Sequence, residues 1–294
     1  MRISLRQLEI FVAITKADTL SQAGEQLHLS QSALSMGLMN LEQQLGGKLF
    51  DRQGKQLRLT GVGQLLLPKA SNILAQVSEL ESVMLQNQPQ GQLTIGASTT
   101  IANYLLPVLI AEYMTLHAAS KIDLRVHNTE GVVQEVLKFN IDMGIIEGSC
   151  NHPDIEMKPW RHDELVVITS PNHPLALKSN LSLTDLQNAK WILREPGSGT
   201  REIFEQAMGQ RLPLFLEFGH TEAIKRAVEA GLGVSCLPKL AVEQALKAKH
   251  LVALATPFLN LTRNLYLLVH KDKYQTQLLQ AFMDYCQKSN PKNG

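Results

Sequence analysis

Apolar residues recur at helical spacing in two adjacent segments of residues 20–45, with a short polar turn between them. Ser30 stands just before the second segment, where its hydroxyl can accept a hydrogen bond from the free amides of a first helical turn. The pattern therefore predicts two short helices joined by a tight turn. Leucines of the second helix follow steps of four, three and four residues and share one face: Leu34, Leu38, Leu41 and Leu45.

The other faces of the second predicted helix carry polar residues and methionine. Amides and hydroxyls can form hydrogen bonds with base edges in the DNA major groove, and methionine can make apolar contacts there. An ordinary pair of surface helices would show a similar pattern, so this segment alone leaves both interpretations open. The candidate groove-contacting residues are Gln31, Ser32, Ser35, Met36 and Asn40.

A short hairpin, or wing, is predicted after this helix pair. Gly46 and Gly47 end the second helix, as glycine commonly does at a helix C-terminus. Residues 49–59 then alternate between apolar and polar positions around a basic turn. We expect Leu49 and Phe50 to pack beneath the hairpin.

Positive charge is concentrated around this hairpin. The chain has 294 residues and a formal net charge of only +1, but residues 48–69 contain five cations and one anion, a local balance of +4. Duplex DNA attracts such a surface through its phosphates. Three of these cations lie on the hairpin and are candidate phosphate or minor-groove contacts: Arg52, Lys55 and Arg58.

A long amphipathic helix is predicted over residues 61–88, with Thr60 as its N-cap. Its apolar positions follow steps of three and four residues, as in a coiled-coil seam, and Pro68 is expected to kink it. We favour a seam that pairs with a second copy of the chain; the alternative is that the seam docks on another part of the same chain. The seam positions are Val62, Leu66, Ala70, Ile73, Val77, Leu80 and Met84.

The pattern changes after a polar, turn-rich hinge at residues 87–91. Short apolar runs then alternate with amphipathic segments, which predicts an α/β fold with a parallel sheet. Strands are predicted at residues 92–97, 122–127, 142–147, 165–169, 191–194, 214–218, 234–237 and 265–269, and helices at 101–117, 130–139, 199–210, 221–230, 239–249 and 274–288.

Composition narrows the class of protein. Apolar content of 44% and charged content of 19% are those of a soluble globular chain, and no apolar run reaches membrane-spanning length. The cysteines Cys150, Cys236 and Cys286 form no CxxC pair, which argues against a disulfide framework or a zinc site. No catalytic triad, metal centre or cofactor motif is recognisable, so we expect a cytoplasmic protein that is not an enzyme and needs no cofactor.

The chain resembles the LysR-type transcriptional regulators over essentially its whole length. The most specific matches are LRQLEIFVAI, LSQAGEQLHLSQSALSMGLMNLEQQLGGKLFDR and LTGVG. The resemblance implies a winged helix-turn-helix DNA-binding domain at residues 1–60 and a linker or dimerisation helix with a hinge at 61–90. It also implies an effector-binding domain at 91–294, similar to periplasmic binding proteins, with lobe I at about 91–160 and 265–294 and lobe II at about 161–264.

The same resemblance implies the partners. These are double-stranded promoter DNA, a small effector, and further copies of the chain in a homodimer through the linker helix and in a homotetramer. RNA polymerase is a further candidate partner. We do not expect the protein to bind a membrane.

Two features depart from the family pattern. Gly24 stands where alanine is customary and is expected to lower helix stability by roughly 1 kcal/mol. Met36 and Asn40 stand where the family often has cations. The sequence therefore predicts that affinity for DNA depends largely on the wing, the dimer and the higher assembly.

Three loops that follow predicted strands carry hydroxyls or glycines suited to an anion: residues 97–100 and 196–202 each open a predicted helix, and residues 147–150 follow a predicted strand. Each alone is an ordinary cap or turn, but together, at the carboxyl ends of strands, they favour a small bound anion. The candidate ligand-binding residues are Ser98, Thr99, Thr100, Glu147, Gly148, Ser149, Gly197, Ser198, Gly199, Thr200 and Arg201.

The loop set is most similar to the CysB-like and YeiE-like branch of the family, which implies a sulfur oxyanion or a small carboxylate as effector. Glu147 would repel an anion unless it is paired with Arg201 or another cation. The alternative function is a thiol-based, redox-responsive regulator that uses Cys150 or Cys236.

Overall fold

The N-terminal head combines three helices with a two-stranded hairpin. It is described from a computed structural model, which defines residues 3–17, 19–53, 56–83 and 91–289. Lys55 and the Arg52 side chain, both predicted DNA contacts, lie outside the described part. The head elements are α1 (Leu5–Lys16), α2 (Leu20–Leu27), α3 (Gln31–Leu45), β1 (Phe50–Gln53) and β2 (Gln56–Leu59).

Local signals set the bounds of α3 as predicted. The Ser30 hydroxyl accepts a hydrogen bond from the Ala33 amide at 3.2 Å, and Gly46 ends the helix in the left-handed region with φ of 73°. Leu34 and Leu41 are completely buried in the core of the head. Because that face is anchored, the opposite face of α3 remains exposed.

Gly24 lies in α2 next to the turn that leads into α3. The Leu29 amide donates to the Gly24 carbonyl at 2.8 Å, which folds the turn tightly over the helix end. A Cβ atom on Gly24 would lie 2.6 Å from the Leu29 carbonyl oxygen and 3.4 Å from Leu34 Cδ1. The expectation that alanine would simply strengthen this helix is therefore incomplete, because alanine requires the turn to shift.

The hairpin is fixed to α3 by a buried carboxylate. Glu42 accepts a hydrogen bond from the Leu49 amide at 2.9 Å and lies 2.7 Å from Lys48 Nζ. Leu49 and Phe50 are buried beneath the hairpin, as predicted. The wing is thus held in a defined position relative to α3.

The long helix α4 (Gly61–Val83) begins at Thr60, whose hydroxyl accepts from the Gly63 amide at 3.1 Å. Ala70 is completely buried in the core of the head, so the prediction of one continuous seam is wrong at this position. Met84 lies outside the described residues. The apolar side chains that α4 exposes are Val62, Leu65, Ile73 and Leu80.

Another face of α4 contacts the C-terminal half of the same chain. Asn72 Nδ2 donates to the Asp272 carbonyl at 2.6 Å, and Glu79 accepts from the Tyr274 hydroxyl at 2.7 Å. The sequence left open whether α4 docks on the same chain or exposes an apolar stripe. Both occur, on different faces of α4.

Lobe I is built on a sheet of which β3 is the central parallel strand. β3 pairs in parallel with β4 and β5, while β11 pairs antiparallel with β5 and β6. The sheet is therefore mixed, and the predicted parallel pairing holds only for β3, β4 and β5. The elements are β3 (Gly91–Ser98), α5 (Thr99–Tyr104), α6 (Leu106–Leu116), β4 (Ser120–His127), α7 (Thr129–Leu137), β5 (Met143–Glu147), β6 (Ile155–Thr169), β11 (Thr262–His270) and α12 (Gln277–Lys288).

The long strand β6 runs out of lobe I and into lobe II. Its residues 165–168 leave β11 and pair with β9, and residues 168–169 pair with β10. β6 and β11 are therefore the two crossings between the lobes, and the exact boundaries proposed from sequence remain predictions. The elements are α8 (Leu183–Gln187), β7 (Trp191–Leu193), α9 (Gly199–Met208), β8 (Leu214–Glu217), α10 (Thr221–Glu229), β9 (Ser235–Pro238), α11 (Lys239–Lys247) and β10 (Val252–Ala253).

Two further predictions need correction. The helix predicted over residues 101–117 is divided at Leu105 into α5 and α6, because Pro107 has no amide hydrogen to continue the first helix. The strand predicted at residues 165–169 is only the end of β6. Its first part contains Pro159 and many polar residues, which are tolerated because that part lies at the edge of the sheet.

Candidate effector crevice and DNA-contacting face

A cluster of buried polar side chains lies between the lobes. Lobe I contributes loops at the ends of β3, β4 and β5, lobe II contributes the loops after β7 and β8, and β11 contributes an arginine. Buried polar groups require partners inside the protein or in a ligand. The cluster, here called the crevice cluster, consists of Ser98, Thr99, Thr100, Thr129, Glu147, Arg194, Ser198, Thr200, Thr221 and Arg263.

Glu147 is the acid of this cluster, and only 2% of its surface is exposed. Its carboxylate accepts a hydrogen bond from the Ser98 hydroxyl and one from the Thr200 hydroxyl at 3.5 Å. Arg263 Nη1 lies 3.7 Å from Glu147 Oε1. Hydroxyls of both lobes and a cation from β11 thus satisfy this buried carboxylate.

Arg263 links that carboxylate to the crossing between the lobes. Its Nη1 donates to Thr200 Oγ1 at 3.0 Å, and its Nη2 lies 2.6 Å from Asp163 Oδ2. The cation that compensates Glu147 is therefore Arg263 and not Arg201. Arg201 instead contacts Glu205 at 3.0 Å and Glu217 at 2.8 Å within lobe II.

Arg194 follows β7 and joins the lobes from the other side. Its Nη2 donates to Thr99 Oγ1 and its Nη1 to Thr221 Oγ1, both at 3.4 Å. Its Nε and Nη2 also hold the Glu195 carboxylate at 2.7 and 2.8 Å. Burial of that carboxyl favours its neutral form, but the hydrogen bonds and charge of Arg194 outweigh this effect, so the pKa of Glu195 is lowered.

Two hydroxyls of the cluster are buried without a hydrogen-bond partner among the described residues, Thr100 Oγ1 and Ser198 Oγ. Ser198 is the N-cap residue of α9, yet its hydroxyl caps none of the amides of the first turn. The N-terminus of α9 therefore combines a free donor with helix amides, which together suit a negatively charged group.

The two lobes touch through backbone atoms at this point. The Gly199 amide donates to Thr129 Oγ1 at 3.2 Å, and the Glu130 amide donates to the Gly197 carbonyl at 3.1 Å. A Cβ atom on Gly199 would lie 2.6 Å from the Glu147 carbonyl oxygen. Glycine is needed here because any side chain would hold the lobes apart.

The other predicted ligand residues lie at the mouth of the crevice. Ser149, Gly197 and Arg201 line a cavity of about 500 Å³ together with Ser198 and Cys150. Gly148 and Ser149 also line an adjacent cavity of about 420 Å³ that reaches Arg263. The structure thus brings the three predicted loops together, although the Arg201 guanidinium is engaged with lobe II.

Sequence reasoning missed Thr129, Arg194 and Arg263. Thr129 begins α7 directly after β4, and Arg194 directly follows β7, so the rule that selected the other loops applies equally to them. Arg263 had no such signal, because it lies within a strand. In the described part of the chain, no group of three or more histidines, cysteines or acids is placed to hold a metal ion.

Comparison with known proteins places the chain in a family. The model of bacterial regulatory helix-turn-helix proteins of the lysR family matches residues 5–64, and the LysR substrate binding domain matches residues 86–291. The chain belongs to the LysR family. It is 44% identical over 293 residues to the HTH-type transcriptional regulator YeiE of Escherichia coli K12, which covers 99% of each chain.

Solved structures of LysR-type regulators share the fold. A full-length OxyR variant of Pseudomonas aeruginosa matches with a TM-score of 0.77 and 23% identity, covering 100% of this chain and 99% of that one. The regulatory domain of CcmR from Synechocystis PCC6803, in complex with 2-PG, matches with a TM-score of 0.63 and 29% identity, covering 69% of this chain and 99% of that one. The predicted fold class is therefore confirmed.

In this LysR-family regulator the predicted groove contacts form one surface of α3, here called the DNA-contacting face after the role predicted for it. Gln31, Ser32, Ser35, Met36 and Asn40 are all exposed on α3, and Met36 is 60% exposed. Arg58 is exposed on β2. No lysine or arginine occurs in α3, so the face itself carries no positive charge.

The thiols lie in environments that reduce their reactivity. Burial raises the pKa of the Cys236 thiol well above its usual range, and burial also raises the pKa of Cys150. Reactive cysteines instead have lowered pKa values, because the thiolate is the nucleophile. The redox alternative remains a hypothesis, but these environments weigh against it. No helix among the described residues is long and apolar enough to span a membrane.

Proposed function

We propose that this LysR-type transcriptional regulator is controlled by a small anion, a sulfur oxyanion or a small carboxylate, bound between its lobes. The observation that carries the proposal is that two hydroxyls of the crevice cluster, those of Thr100 and Ser198, are buried and unpartnered among the described residues, and that Ser198 stands at the N-terminus of α9. The CcmR regulatory domain, with the same fold, has been solved in complex with 2-PG, which supports a small ligand in this domain.

The charged side chains of the crevice are already paired with one another, which disfavours a highly charged anion. Arg194 is paired with Glu195, and Arg263 is paired with both Asp163 and Glu147. Because the cations are already compensated, the anion is held mainly by hydroxyls and helix amides, which contribute partial charges. A small oxyanion or carboxylate fits such a site better than a highly charged phosphate compound.

Ligand binding would act on the closure of the lobes. The contacts across the crevice, including those of Gly199 with Thr129 and of Arg194 with Thr99, are formed only when the lobes are together. A ligand that touches Thr100 of lobe I and Ser198 of lobe II binds the closed form better than the open form. By this differential affinity it shifts the population of the two forms, and with it the spacing of the heads in the assembly.

A thermal-shift panel of sulfite, sulfate, acetate and glycolate tests the effector class. We expect at least one of these anions to raise the Tm of the wild-type protein and to lose most of that effect in the Thr100→Ala, Ser198→Ala variant. Ser179→Ala, at an exposed serine of lobe II, is the matched control and should keep the full shift. An equal rise in Tm in all three proteins would show that the anion does not bind through the crevice hydroxyls.

For DNA we propose that the DNA-contacting face enters the major groove and that Arg52, Lys55 and Arg58 contact the DNA backbone or the minor groove. The triple alanine variant of these cations should bind promoter DNA more weakly and with a smaller dependence of affinity on salt, by about one unit in the log–log slope per lost phosphate contact. Wild-type affinity and salt dependence in that variant would show that these wing cations do not contact DNA.

Dimerisation through α4 is proposed from its exposed stripe. Val62, Leu65, Ile73 and Leu80 are separated by three, eight and seven residues, which places them on one side of α4, and all four are exposed. Leu65→Glu with Ile73→Glu should convert dimers into monomers in sedimentation analysis. We also propose that these dimers assemble into tetramers through the effector domains. RNA polymerase is a further proposed partner.

A further inference from the structure

A third cavity, of about 620 Å³, lies where the head, α4 and lobe I meet. Its walls come from α1 and α2, from α4, from β3 and β4, and from the segment around the start of α12. None of its lining residues belongs to the crevice cluster. Its volume lies within the roughly 300–1,000 Å³ of small-molecule sites. We call it the junction cavity.

Three cations line the junction cavity, and one of them lacks an acidic partner. Lys273 Nζ lies 2.7 Å from Asp142 Oδ1, and Arg125 Nε lies 3.2 Å from Asp123 Oδ2. Lys16, within the described part of the chain, forms no ion pair. The Lys16 side chain is exposed to solvent at the cavity wall.

The acids in the cavity wall are already engaged. Asp142 accepts a hydrogen bond from the Thr94 amide at 2.8 Å in addition to its contact with Lys273. Glu79 accepts from the Tyr274 hydroxyl at 2.7 Å and from the Gln277 amide at 2.8 Å. Neither carboxylate forms an ion pair with Lys16, so the positive charge at this wall is available to a ligand.

Two lining atoms also lack hydrogen-bond partners. Ser71 Oγ on α4 and Asn140 Oδ1 in lobe I are buried and unpaired within the described residues. The Asn140 amide is oriented by its Nδ2, which donates to Glu135 Oε1 at 3.2 Å, so its Oδ1 needs a donor. A ligand that satisfies all three groups carries an anionic group and at least one hydroxyl.

We propose that the junction cavity binds a small hydroxylated anion, with a phosphate or carboxylate group at Lys16 and hydroxyl groups at Ser71 and Asn140. The ligand would contact α1, α4 and lobe I at once. It would therefore hold the head in its docked orientation against lobe I and couple its own concentration to the orientation of the DNA-contacting face.

The packing around the cavity shows that head and lobe I share a continuous interface. Phe139 of lobe I is buried in the core of the head, and its ring centroid lies 4.4 Å from that of His270. Phe139 adopts a left-handed conformation with φ of 57°, which is uncommon for an aromatic residue. Docking thus involves a specific backbone conformation, and a ligand beside it would stabilise this arrangement.

Calorimetric titration of the full chain with glycerol 3-phosphate and with glycerate tests the site, with glycerol as the uncharged control. We expect at least one of the two anions to bind, and Lys16→Gln to weaken that binding about tenfold or more, because a charge-assisted hydrogen bond is lost. Lys121→Gln, the same change at an exposed position of β4 outside the cavity, should bind as the wild type does. Absence of binding by both anions would overturn the proposal.

The Thr100→Ala, Ser198→Ala variant separates this site from the effector crevice. The junction proposal requires that this variant keep the affinity that Lys16→Gln loses. Binding that is lost in the crevice variant and kept in Lys16→Gln would overturn the junction site while supporting the crevice.

A measurement on wild-type protein guards against misfolding of the variants. Trace acetylation with peptide mass spectrometry should show that the bound anion protects Lys16 and leaves the labelling of Lys121 unchanged. Equal labelling of Lys16 with and without a probe that binds would place the ligand elsewhere and contradict the proposal.

Discussion

The DNA-contacting face and the crevice cluster are both polar, but they are built in opposite ways. Residues of the face lie within ten positions of one another, all exposed on a single helix that is anchored by the leucines on its other side. Residues of the crevice come from strands, loops and helix starts up to 165 positions apart, between Ser98 and Arg263, and all are buried. The face is therefore a local surface, whereas the crevice exists only in the folded chain.

The difference has an energetic consequence. Exposed polar side chains are solvated and add little to the free energy of unfolding. Buried charges such as Arg263 and Glu147 are tolerated only while their partners are present. The crevice should thus couple ligand recognition to stability, and the face should not.

The largest effect is expected for Arg263→Leu, which would leave the buried Glu147 and the partly buried Asp163 without their cation. Removing one partner of a buried ion pair destabilises a protein by about 3–5 kcal/mol. Urea denaturation followed by circular dichroism measures this loss. Arg226→Leu, which removes an exposed pair with Glu229, is the control and should change stability by less than about 1 kcal/mol. Similar losses in the two variants would contradict the contrast between buried and exposed charge.

A smaller effect is expected for Gly24→Ala, which tests whether the head is as simple as its local pattern indicates. Helix propensity alone predicts stabilisation by roughly 1 kcal/mol. The close approach of the Leu29 carbonyl, 2.6 Å from the added Cβ, predicts destabilisation instead, by about 1–3 kcal/mol for an overpacked site.

Thermal unfolding of the Gly24→Ala variant decides between these outcomes. Gly47→Ala is the matched control, because a Cβ atom there would meet nothing within 4 Å. A higher Tm for Gly24→Ala than for the wild type would show that the turn relaxes freely and that propensity dominates.

Sequence reasoning succeeded where structure depends on neighbours in the chain. The cap at Ser30, the end of α3 at Gly46 and the packing of Leu49 follow from local spacing and chemistry. It failed where long-range pairing decides. The lobe I part of β6 is a strand because β11 pairs with it, and Ala70 is buried because the head covers it, which no local pattern indicates.

The same reasoning explains the partial success in the crevice. Ser98, Thr100, Glu147 and Ser198 were found because they follow strands, and the sheet brings the ends of strands together. Arg263 is placed by the antiparallel register of β11 against β6, in which it lies opposite Asp163. That register cannot be read from residues 262–270 alone, so the sequence predicts only that Arg201 or another cation neutralises Glu147 and does not identify Arg263.

A still smaller effect on stability is expected on the DNA-contacting face. Met36→Ala and Asn40→Ala should each change the free energy of unfolding by less than about 0.5 kcal/mol, because both side chains are exposed. Both should nevertheless weaken binding to promoter DNA in fluorescence anisotropy titrations. A variant with wild-type affinity for DNA would remove that residue from the proposed face.

The smallest effect is expected for Cys150→Ser, at the thiol that lines the cavity beside the crevice. Burial raises the pKa of Cys150, so its thiolate fraction at neutral pH is below that of a free thiol and still rises about tenfold per pH unit between pH 7 and 8. Alkylation of Cys150 by iodoacetamide should therefore be slow and should accelerate by that factor over this range. Peroxide should alter DNA binding by the wild type and by Cys150→Ser to the same extent. Fast alkylation at neutral pH, together with a peroxide response that only the wild type shows, would contradict this expectation. It would mean that Cys150 senses oxidation and that the hydroxyls are not the only functional groups of the crevice region.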